Sequence, residues 1–517
     1  MNEILRIGDI RNGYEILPKE KRRTILLLSD DITSNSGIGN MSKEFVLGSC
    51  HRYNWVQLAG AINHPKKGQI IDIGQSISEE TGVPDVSAKL YPIDGYGNPE
   101  LLREILKREN PDLILHFTDP RFWIWLYMME NEIRRNIPIA YYAIWDDTPY
   151  PHYNELFYRS CDLIMGISKQ SHNIHKNVLG EDFCFNFNTR TKEVSTTEIY
   201  DEDGLKTVLS YVPHGINEKY FFPMEKNETT QIKIDNLKNR LFPENDDVDF
   251  IVLFNNRNIR RKMMGDVMLA FAKFVSDLPE DQRKRCGLIM HTQERDENGT
   301  DIVSIKKDLF PDINIVIDDT KVSPEELNVY YNLSDVTINI ASNEGFGLSS
   351  AESMMAGTMV LNNVTGGLQD QVRFSDKNEK WIDFSDDFPT NHSKKFSNHG
   401  KWAEVVFPKT RSLVGAIPTP YIFDDRCDWE DVAEKLMNIF NLSKEARDEF
   451  GYQGHVWIKS DESMMSARKM SENMMLSIEY LILNWKKRKR FGLINSNKLV
   501  RKDKKNTGIL SLKNKII

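Results

Sequence analysis

Short apolar runs alternate with helical patterns along most of the chain, and this alternation limits the possible folds more than any other feature. One series of such runs extends from Thr24 to Val212, and a second extends from Phe250 to Leu361. Parallel strands need long crossover connections, so this pattern is typical of parallel sheets covered by helices on both faces. The sequence therefore predicts an α/β protein with two sheets, divided within the polar stretch Glu225 to Asp249.

The sequence pattern also predicts how the chain is divided into domains and segments. Residues 1–225 form the predicted first domain and residues 226–460 the second. Within the second domain, residues 374–419 are polar and lack periodicity, which predicts a long inserted loop. In residues 461–485 apolar side chains recur at three- and four-residue spacing, which predicts a long amphipathic return helix. Residues 486–517 make up a basic tail.

Charge is distributed unevenly along the 517 residues. The whole chain carries a net charge of −9, but the segment from Trp485 to Ile517 contains twelve Lys or Arg and one Asp, a net charge of +11. The remaining residues therefore carry −20 (−9 − 11). A basic tail on an acidic body suits an anionic membrane surface or a nucleic acid, and a solvated chain end is the alternative.

The apolar runs are too short for a membrane span. The longest uninterrupted one, Phe122 to Met129, is far below the roughly 20 residues that a spanning helix needs, and charges break up the N-terminal segment. Five cysteines occur without a C-x-x-C pair, which favours reduced thiols. We therefore expect a cytoplasmic protein, with peripheral membrane association as a further option.

A glycine-bearing turn follows the predicted strand Val336 to Ile340 and leads into a predicted helix. Gly345 and Gly347 allow a ligand to approach the backbone, and Glu344 and Glu352 flank the turn, eight positions apart. In parallel sheets ligands bind at the carboxyl ends of strands, where helix N-termini attract anions. Two alternatives stay open: Glu352 has the spacing of a capping box with Ser349, and Glu344 fits an exposed loop acid.

Four cations gather at the start of another predicted helix. Arg257, Arg260, Arg261 and Lys262 lie within six residues after the apolar run Phe250 to Phe254. Cations oppose the dipole at a helix N-terminus unless an anion lies nearby, so this placement favours a bound phosphate. A solvated basic turn is the alternative.

These residues resemble a known family. The segment from Glu344 to Glu352, with its GFGL turn, resembles the E-x7-E signature of retaining GT-B glycosyltransferases, especially family 4. Arg257 and Lys262, five positions apart, are similar to the pair that holds the donor diphosphate in that family. The segment from Val212 to Pro223 resembles its interdomain segment, and Gly37 to Gly39 is similar to its N-terminal glycine loop.

The resemblance implies a GT-B fold, in which two Rossmann-like domains face each other across a cleft and the second binds the donor. It implies that Glu352 binds the ribose and that Glu344 lies beside the transferred sugar. It also implies that Arg257 and Lys262 neutralise the departing diphosphate, with no protein nucleophile, metal or other cofactor. The further donor contacts that it implies are Gly345, Phe346, Gly347, Leu348 and Gly39.

The acceptor side is less well defined by the sequence. Trp145 and Asp146 follow a predicted strand at a place where members of the family often have a histidine, and His116 ends the preceding strand. We treat all three as possible acceptor or sugar contacts, with a structural role as the alternative for His116.

The function implied is a retaining glycosyltransferase that moves a sugar from a nucleotide-diphosphate sugar to an unidentified acceptor, such as a glycan or a lipid. Three alternatives remain: a glycosyltransferase acting on nucleic-acid bases, a nucleotide-sugar epimerase of the same fold, and a non-catalytic sugar-nucleotide-binding protein. The P-loop, H-E-x-x-H and G-x-S-x-G motifs are absent, which argues against the enzyme classes that depend on them.

Overall fold

The computed structural model describes residues 15–34, 36–200, 204–243, 245, 247–382, 391–392 and 394–488. The predicted basic tail lies outside the described residues from residue 489 onward.

The first half of the chain forms a sheet whose strand order is β3-β4-β2-β1-β5-β6-β7-β10-β8-β9. The pairs β3/β4 and β8/β9 at its two edges are antiparallel, and the other neighbours are parallel. Its central strands β5 and β6 are buried along their whole length and β1 from its third residue on, as expected for a sheet covered on both faces. The strands are β1 (Arg23–Asp30), β2 (Tyr53–Gly60), β3 (Ile71–Asp72), β4 (Ala88–Pro92), β5 (Leu113–Phe117), β6 (Ile139–Ala143), β7 (Leu163–Gly166), β8 (Cys184–Asn188), β9 (Glu193–Val194) and β10 (Thr207–Tyr211).

The second half forms a sheet in the order β13-β12-β11-β14-β15-β16, in which all neighbours are parallel. The predicted boundary stretch from Glu225 to Asp249 lies between the two sheets. The strands are β11 (Phe250–Asn255), β12 (Cys286–His291), β13 (Ile315–Asp318), β14 (Val336–Asn339), β15 (Met359–Asn363) and β16 (Ala403–Val406). Two large parallel sheets with crossover helices confirm the predicted α/β class.

Helices connect the strands, and many of them begin at a Ser, Asn or Asp that caps the first turn, as Ser36 does for α1. In the first half they are α1 (Gly37–Ser49), α2 (Gly74–Thr81), α3 (Pro99–Glu109), α4 (Ile124–Met128), α5 (Glu130–Ile133), α6 (Glu155–Arg159) and α7 (Lys169–Leu179). The later helices are α8 (Glu228–Leu241), α9 (Met264–Ser276), α10 (Glu280–Arg283), α11 (Ile302–Leu309), α12 (Pro324–Leu333), α13 (Leu348–Met355), α14 (Leu368–Val372), α15 (Trp429–Phe440), α16 (Lys444–Lys459) and α17 (Ala467–Asn484). No helix of the described residues combines the length and the apolar composition that crossing a membrane requires.

The predicted inserted loop, residues 374–419, contains more structure than expected. It includes β16 and the first strand of an antiparallel hairpin, β17 (Thr410–Ala416) and β18 (Thr419–Arg426). The prediction of a long loop is therefore wrong for residues 403–406, 410–416 and 419. The sequence gives no sign of this hairpin, because β17 is largely exposed and so lacks a one-sided apolar pattern.

The final helix returns to the first half of the chain. Helix α17 packs against α1, and a side chain at Gly48 would lie 2.1 Å from Oγ of Ser471. Met470, Met474 and Ile478 are fully buried in this contact region. The amphipathic pattern predicted for residues 461–485 therefore corresponds to a helix that ties the end of the described chain to its beginning.

Candidate active site

A buried ion cluster joins the two loops that the sequence singled out. Oε1 of Glu344 lies 2.5 Å from Nζ of Lys262, and Oε2 accepts a hydrogen bond of 2.7 Å from Arg261. Arg261 also donates to the carbonyl of Asn343 at 2.6 Å. Glu344 and Lys262 are buried, and Arg261 is partly exposed.

Local backbone geometry brings the two loops together. After β11 the chain makes a 3-10 turn at Arg260–Lys262, and Met263 adopts the left-handed conformation (φ 58°) immediately before α9. The N–H of Ser342, after β14, donates to the carbonyl of Arg261 at 2.8 Å. Because β11 and β14 are parallel neighbours, their carboxyl ends meet at one edge of the sheet, where parallel sheets bind ligands.

Burial and ion pairing together determine the pKa values of the groups in this cluster. Burial alone would raise the pKa of Glu344, but Lys262 and Arg261 outweigh it and hold that pKa at about 2. Burial lowers the pKa of Lys262 to about 8, although Glu344 acts in the opposite direction. At neutral pH the three side chains are therefore ionised, and one positive charge is left over for an anionic ligand.

Glu352 lies in different surroundings, although it belongs to the same turn and helix. Its Oε2 accepts a hydrogen bond of 2.7 Å from the hydroxyl of Tyr331, which accepts one of 2.8 Å from Nδ2 of Asn255. Oδ1 of Asn255 lies 2.9 Å from Nδ1 of His291. Burial raises the pKa of Glu352 to about 7, and the hydrogen bond from Tyr331 offsets only part of that rise.

The capping-box alternative for Glu352 is wrong. Helix α13 begins at Leu348 with Gly347 as its N-cap, so Ser349 lies inside the helix and cannot cap it. The hydroxyl of Ser349 instead accepts a hydrogen bond of 3.3 Å from Nδ2 of Asn256, which follows β11.

The turn between Glu344 and α13 requires its glycines. Gly347 has a φ of +93°, and a side chain there would come within 2.4 Å of Leu368. Phe346 is buried, with its ring 5.2 Å from that of His214 in the interdomain segment. Within the described part of the chain, no acceptor bonds to the backbone N–H groups of residues 345–348. The start of α13 therefore offers donors to a ligand oxygen.

The first half of the chain faces this turn through α1. A side chain at Gly37 would lie 3.1 Å from Cδ1 of Leu348, so the start of α1 contacts the start of α13. Gly39 lies in the first turn of α1, where its N–H donates to Oγ of Ser36 at 2.9 Å. A side chain at Gly39 would lie only 2.2 Å from Oγ of Ser34. Gly39 thus permits the tight loop, and Gly37 makes the contact across the cleft.

Asp146 also reaches the turn from the first half. A side chain at Gly345 would meet Cβ of Asp146 at 3.6 Å and Cδ1 of Ile167 at 3.0 Å. Burial raises the pKa of Asp146, while Arg261 stabilises its charge and Glu344 opposes it. Asp146 therefore lies close enough to the ion cluster to respond to its charges.

Asp147, next to Asp146, joins the two halves of the chain. Oδ2 of Asp147 accepts a hydrogen bond of 2.7 Å from Asn343, and Nε1 of Trp145 donates to the carbonyl of Asp147 at 2.7 Å. The ring of Trp145 packs edge-on against Tyr153 at 5.7 Å. Trp145 therefore supports the loop from within the first half.

The hairpin links both halves to the basic loop. The N–H of Phe423, in β18, donates to the carbonyl of Thr148 at 2.9 Å. Asp424, the next residue, pairs with Arg260 at 2.7 Å. One strand of the hairpin thus contacts the acceptor-side loop and the cation loop at the same time.

Two predicted site residues lie elsewhere. Arg257 is 62% exposed and pairs with Asp296 at 2.9 Å, so the structure does not bring it to Glu344, and Arg261 takes that position. His116 lies in the core of the first half, where Nδ1 bonds to the hydroxyl of Tyr127 at 2.7 Å. This burial fits the structural alternative for His116, because the rings of Trp123, Tyr127 and Tyr141 surround it at the end of β5.

Sequence reasoning missed Arg261, Tyr331 and Asn255. Arg261 belonged to the noted run of cations, but nothing in the spacing shows which member of the run points inward. Among the residues that the structure describes, no three His, Cys, Asp or Glu side chains are grouped as ligands of a metal ion. The expectation of a reaction without metal or other cofactor stays a prediction.

Known proteins resemble this chain in part of the sequence and in most of the fold. No protein-family model matches the chain. The α-monoglucosyldiacylglycerol synthase of Acholeplasma laidlawii is 28% identical over 174 residues, which cover 32% of this chain and 40% of that protein. The similarity thus spans less than half the length of that relative.

Solved structures match over most of the chain at low identity. The sucrose-phosphate synthase of Thermosynechococcus elongatus matches with a TM-score of 0.58 and 13% identity, covering 89% of this chain and 100% of its own. Anabaena HepE, in complex with UDP and glucose, matches with a TM-score of 0.56 and 11% identity over the same shares. A trehalose-6-phosphate protein from E. coli, bound with UDP-2-fluoro glucose, matches with a TM-score of 0.54 and 12% identity, covering 89% and 99%. These comparisons show that the chain has the GT-B fold, and they confirm the resemblance to GT-B glycosyltransferases that its sequence predicted.

Proposed function

We propose that the protein is a retaining glycosyltransferase that transfers a sugar from a nucleoside-diphosphate sugar to an acceptor held by the first half of the chain. One observation carries the proposal. Lys262, Arg261 and Glu344 form an ion cluster just before the first residues of α9 and α13. Glu352 lies in α13, about one turn after its start, at the same edge of the sheet.

The two carboxylates suit the two ends of such a donor. Glu352 and its neutral partners Tyr331 and Asn255 provide hydrogen-bonding groups, which fit the hydroxyls of a ribose. The cations at residues 261 and 262 and the backbone N–H groups of residues 345–348 fit a diphosphate and the sugar attached to it. Binding of the diphosphate would share the two cations with Glu344.

The chemistry follows from the charge that develops during transfer. The bond between the anomeric carbon and the diphosphate oxygen breaks, and negative charge accumulates on that oxygen. Fixed cations and amides aimed at that charge lower the barrier, because they need no reorganisation in the transition state. The acceptor hydroxyl attacks the same face, and its proton passes to the departing phosphate oxygen, so the configuration is retained.

The acceptor would enter beside residues 144–148. Asp146 lies beside Gly345, and the charges of Arg261 and Glu344 both affect its pKa. We assign to Asp146 the positioning of the acceptor, and to Trp145 the support of its loop. Arg257 lies on the exposed rim of the cation loop and would contribute at most to the first capture of the donor.

The test is an incubation of the protein with UDP-, GDP- and ADP-sugars and candidate sugar and lipid acceptors, followed by NMR. We expect one nucleotide sugar to bind and to yield a product with the donor's anomeric configuration. Isomerised nucleotide sugar without transfer would instead identify an epimerase. Binding without any turnover across the acceptors would favour a non-catalytic sugar-nucleotide-binding protein.

A further inference from the structure

The apolar run Phe122 to Met129 is only partly covered by the core. Trp123, Leu126 and Met129 are buried, as expected for the inner face of α4 and the turn before it. The outer face is also apolar, since no charged residue occurs in the run. A helix that is apolar all round but covered on one side only presents an unpartnered apolar surface.

Further large apolar side chains extend this surface. Leu156 lies on α6, which is joined to α4 by the ring contact of Phe157 with Tyr127 at 4.9 Å. The hairpin tip lies beside Phe122, because Arg121 donates to the carbonyl of Pro418 at 3.1 Å. We call the following five side chains the apolar platform, with their exposed fractions: Phe122 (55%), Ile124 (51%), Met128 (81%), Leu156 (77%) and Ile417 (99%).

The described chain ends beside α5, the helix that follows α4. The N–H of Arg488, at the end of the described chain, donates to the carbonyl of Arg134 at 3.1 Å. Arg134 caps α5, the helix that directly follows α4. Residues 489–517 continue from this point with nine Lys or Arg and one Asp. The basic residues of the tail therefore follow directly on a segment that contacts the end of α5.

This combination fits an anionic lipid bilayer. Apolar side chains enter the boundary between headgroups and acyl chains, and nearby basic residues are attracted by anionic headgroups. Aromatic side chains favour that boundary, and Phe122 is the exposed aromatic side chain of the platform. A nucleic acid would bind the basic tail through its phosphates, but it offers no apolar interior for five exposed apolar side chains to enter.

The platform adjoins the acceptor side of the proposed active site. The guanidinium of Arg121 lies 5.7 Å from the centre of the Trp145 ring, and Asp146 faces Gly345 across the cleft. The hairpin that carries Ile417 also reaches the cation loop through Asp424 and Arg260. Both halves of the cleft therefore contribute to the same surface.

We propose that the apolar platform and the basic tail dock the protein on an anionic lipid bilayer, so that the acceptor is a lipid-borne hydroxyl delivered from that bilayer. The identity of the acceptor rests on the proposed transferase function, whereas the docking itself does not.

The test is flotation of the full-length protein with vesicles of phosphatidylcholine alone or with about 30% phosphatidylglycerol, at low and at high salt. We expect binding to the anionic vesicles only, and weaker binding at high salt. The double variant Ile124→Asp and Met128→Asp should lower the vesicle partition coefficient by at least about tenfold, because two apolar side chains no longer enter the bilayer. A full-length variant with Gln at residues 498, 501, 502, 504 and 505 should lower it by a similar factor.

The matched control is the double variant Ile232→Asp and Leu309→Asp, which changes two exposed apolar side chains on α8 and α11 of the second half. It should bind vesicles like the unchanged protein. Equal losses in both double variants, or unchanged binding in the platform variant, would overturn the proposal. So would binding to a DNA duplex, lost in the tail variant, with no binding to vesicles.

Donor binding separates this proposal from the transferase function. Calorimetric titration with the nucleoside diphosphate, without vesicles, should give the same affinity in all of these variants. Vesicle binding without any nucleotide binding would contradict the transferase function and leave the docking intact. Nucleotide binding with unchanged vesicle binding in the platform variant would contradict the docking alone.

Discussion

Two carboxylates of one motif show how differently the two ends of the site are built. Glu344 is buried between two cations, and its pKa is held at about 2. Glu352, eight positions later, is bonded to a tyrosine hydroxyl, and its pKa is raised to about 7. Burial acts on both, so the difference comes from the cations. One end of the site is built for charge and the other for hydrogen bonding to neutral groups.

This division is consistent with the shape of a nucleotide sugar. Its diphosphate carries the negative charge, and its ribose carries hydroxyl groups. The predictions below test whether the two ends act separately, in order of decreasing effect.

The largest effect is expected for turnover in Lys262→Met. Without Nζ, the charge on the departing oxygen loses one of its fixed cations, and we expect turnover to fall by about 100- to 1000-fold. Lys273→Met, at a surface ion pair with Asp277 on α9, is the matched control and should leave turnover unchanged. Comparable turnover in Lys262→Met and the control would contradict a role in leaving-group stabilisation.

Glu344→Gln tests the same end of the site through stability. The substitution leaves Lys262 buried without its carboxylate, and we expect the free energy of unfolding to fall by about 3 kcal/mol. Glu404→Gln, at the more exposed pair with Lys435, should cost less than about 1 kcal/mol. Urea unfolding of both variants measures the difference. Equal losses of unfolding free energy would show that the buried ion cluster stabilises the protein no more than the exposed pair does.

The opposite end of the site should respond to pH. Below pH 7 Glu352 is protonated and accepts fewer hydrogen bonds, whereas above pH 7 it is ionised. Nucleoside-diphosphate affinity should therefore fall by about tenfold from pH 8 to pH 6, a change of about 1.4 kcal/mol.

Glu352→Gln removes this titration and should give a lower affinity that changes little over the same pH range. Calorimetry at several pH values measures both profiles. An equally steep profile in Glu352→Gln would assign the titration to another group.

The smallest effect is expected for Arg257→Ala. Its guanidinium is mostly exposed and already paired with Asp296, so we expect the KM for the donor to rise by about threefold or less. Arg261→Ala, which removes a cation from Glu344, should raise it by about tenfold or more. The reverse order would mean that Arg257 turns inward when the donor binds.

The fold was largely predictable because the apolar runs reflect burial. The run Phe250 to Phe254 is fully buried in β11, and such strands read clearly in a parallel sheet. Residues 410–416 were missed because β17 is solvated along most of its length, so burial left no pattern in its sequence.

The residue types of the site were predictable from the sequence, but the orientation of their side chains was not. The residue pattern, together with the resemblance to GT-B glycosyltransferases, identified Glu344, Glu352 and Lys262 as functional candidates. It could not decide between Arg257 and Arg261, because a 3-10 turn and the left-handed Met263 determine which cations point inward. His116 carried no signal that α4 would cover its strand end.

The most direct test of the account is a calorimetric comparison of a nucleoside diphosphate with its own nucleoside. The pair would be chosen from UDP, GDP and ADP by binding to the unchanged protein, and measured again with Lys262→Met and Glu352→Ala. We expect Lys262→Met to weaken binding of the diphosphate by about tenfold or more and to leave binding of the nucleoside unchanged, while Glu352→Ala weakens binding of both by the same factor. Equal weakening of both ligands by Lys262→Met, or no change in either with Glu352→Ala, would contradict it.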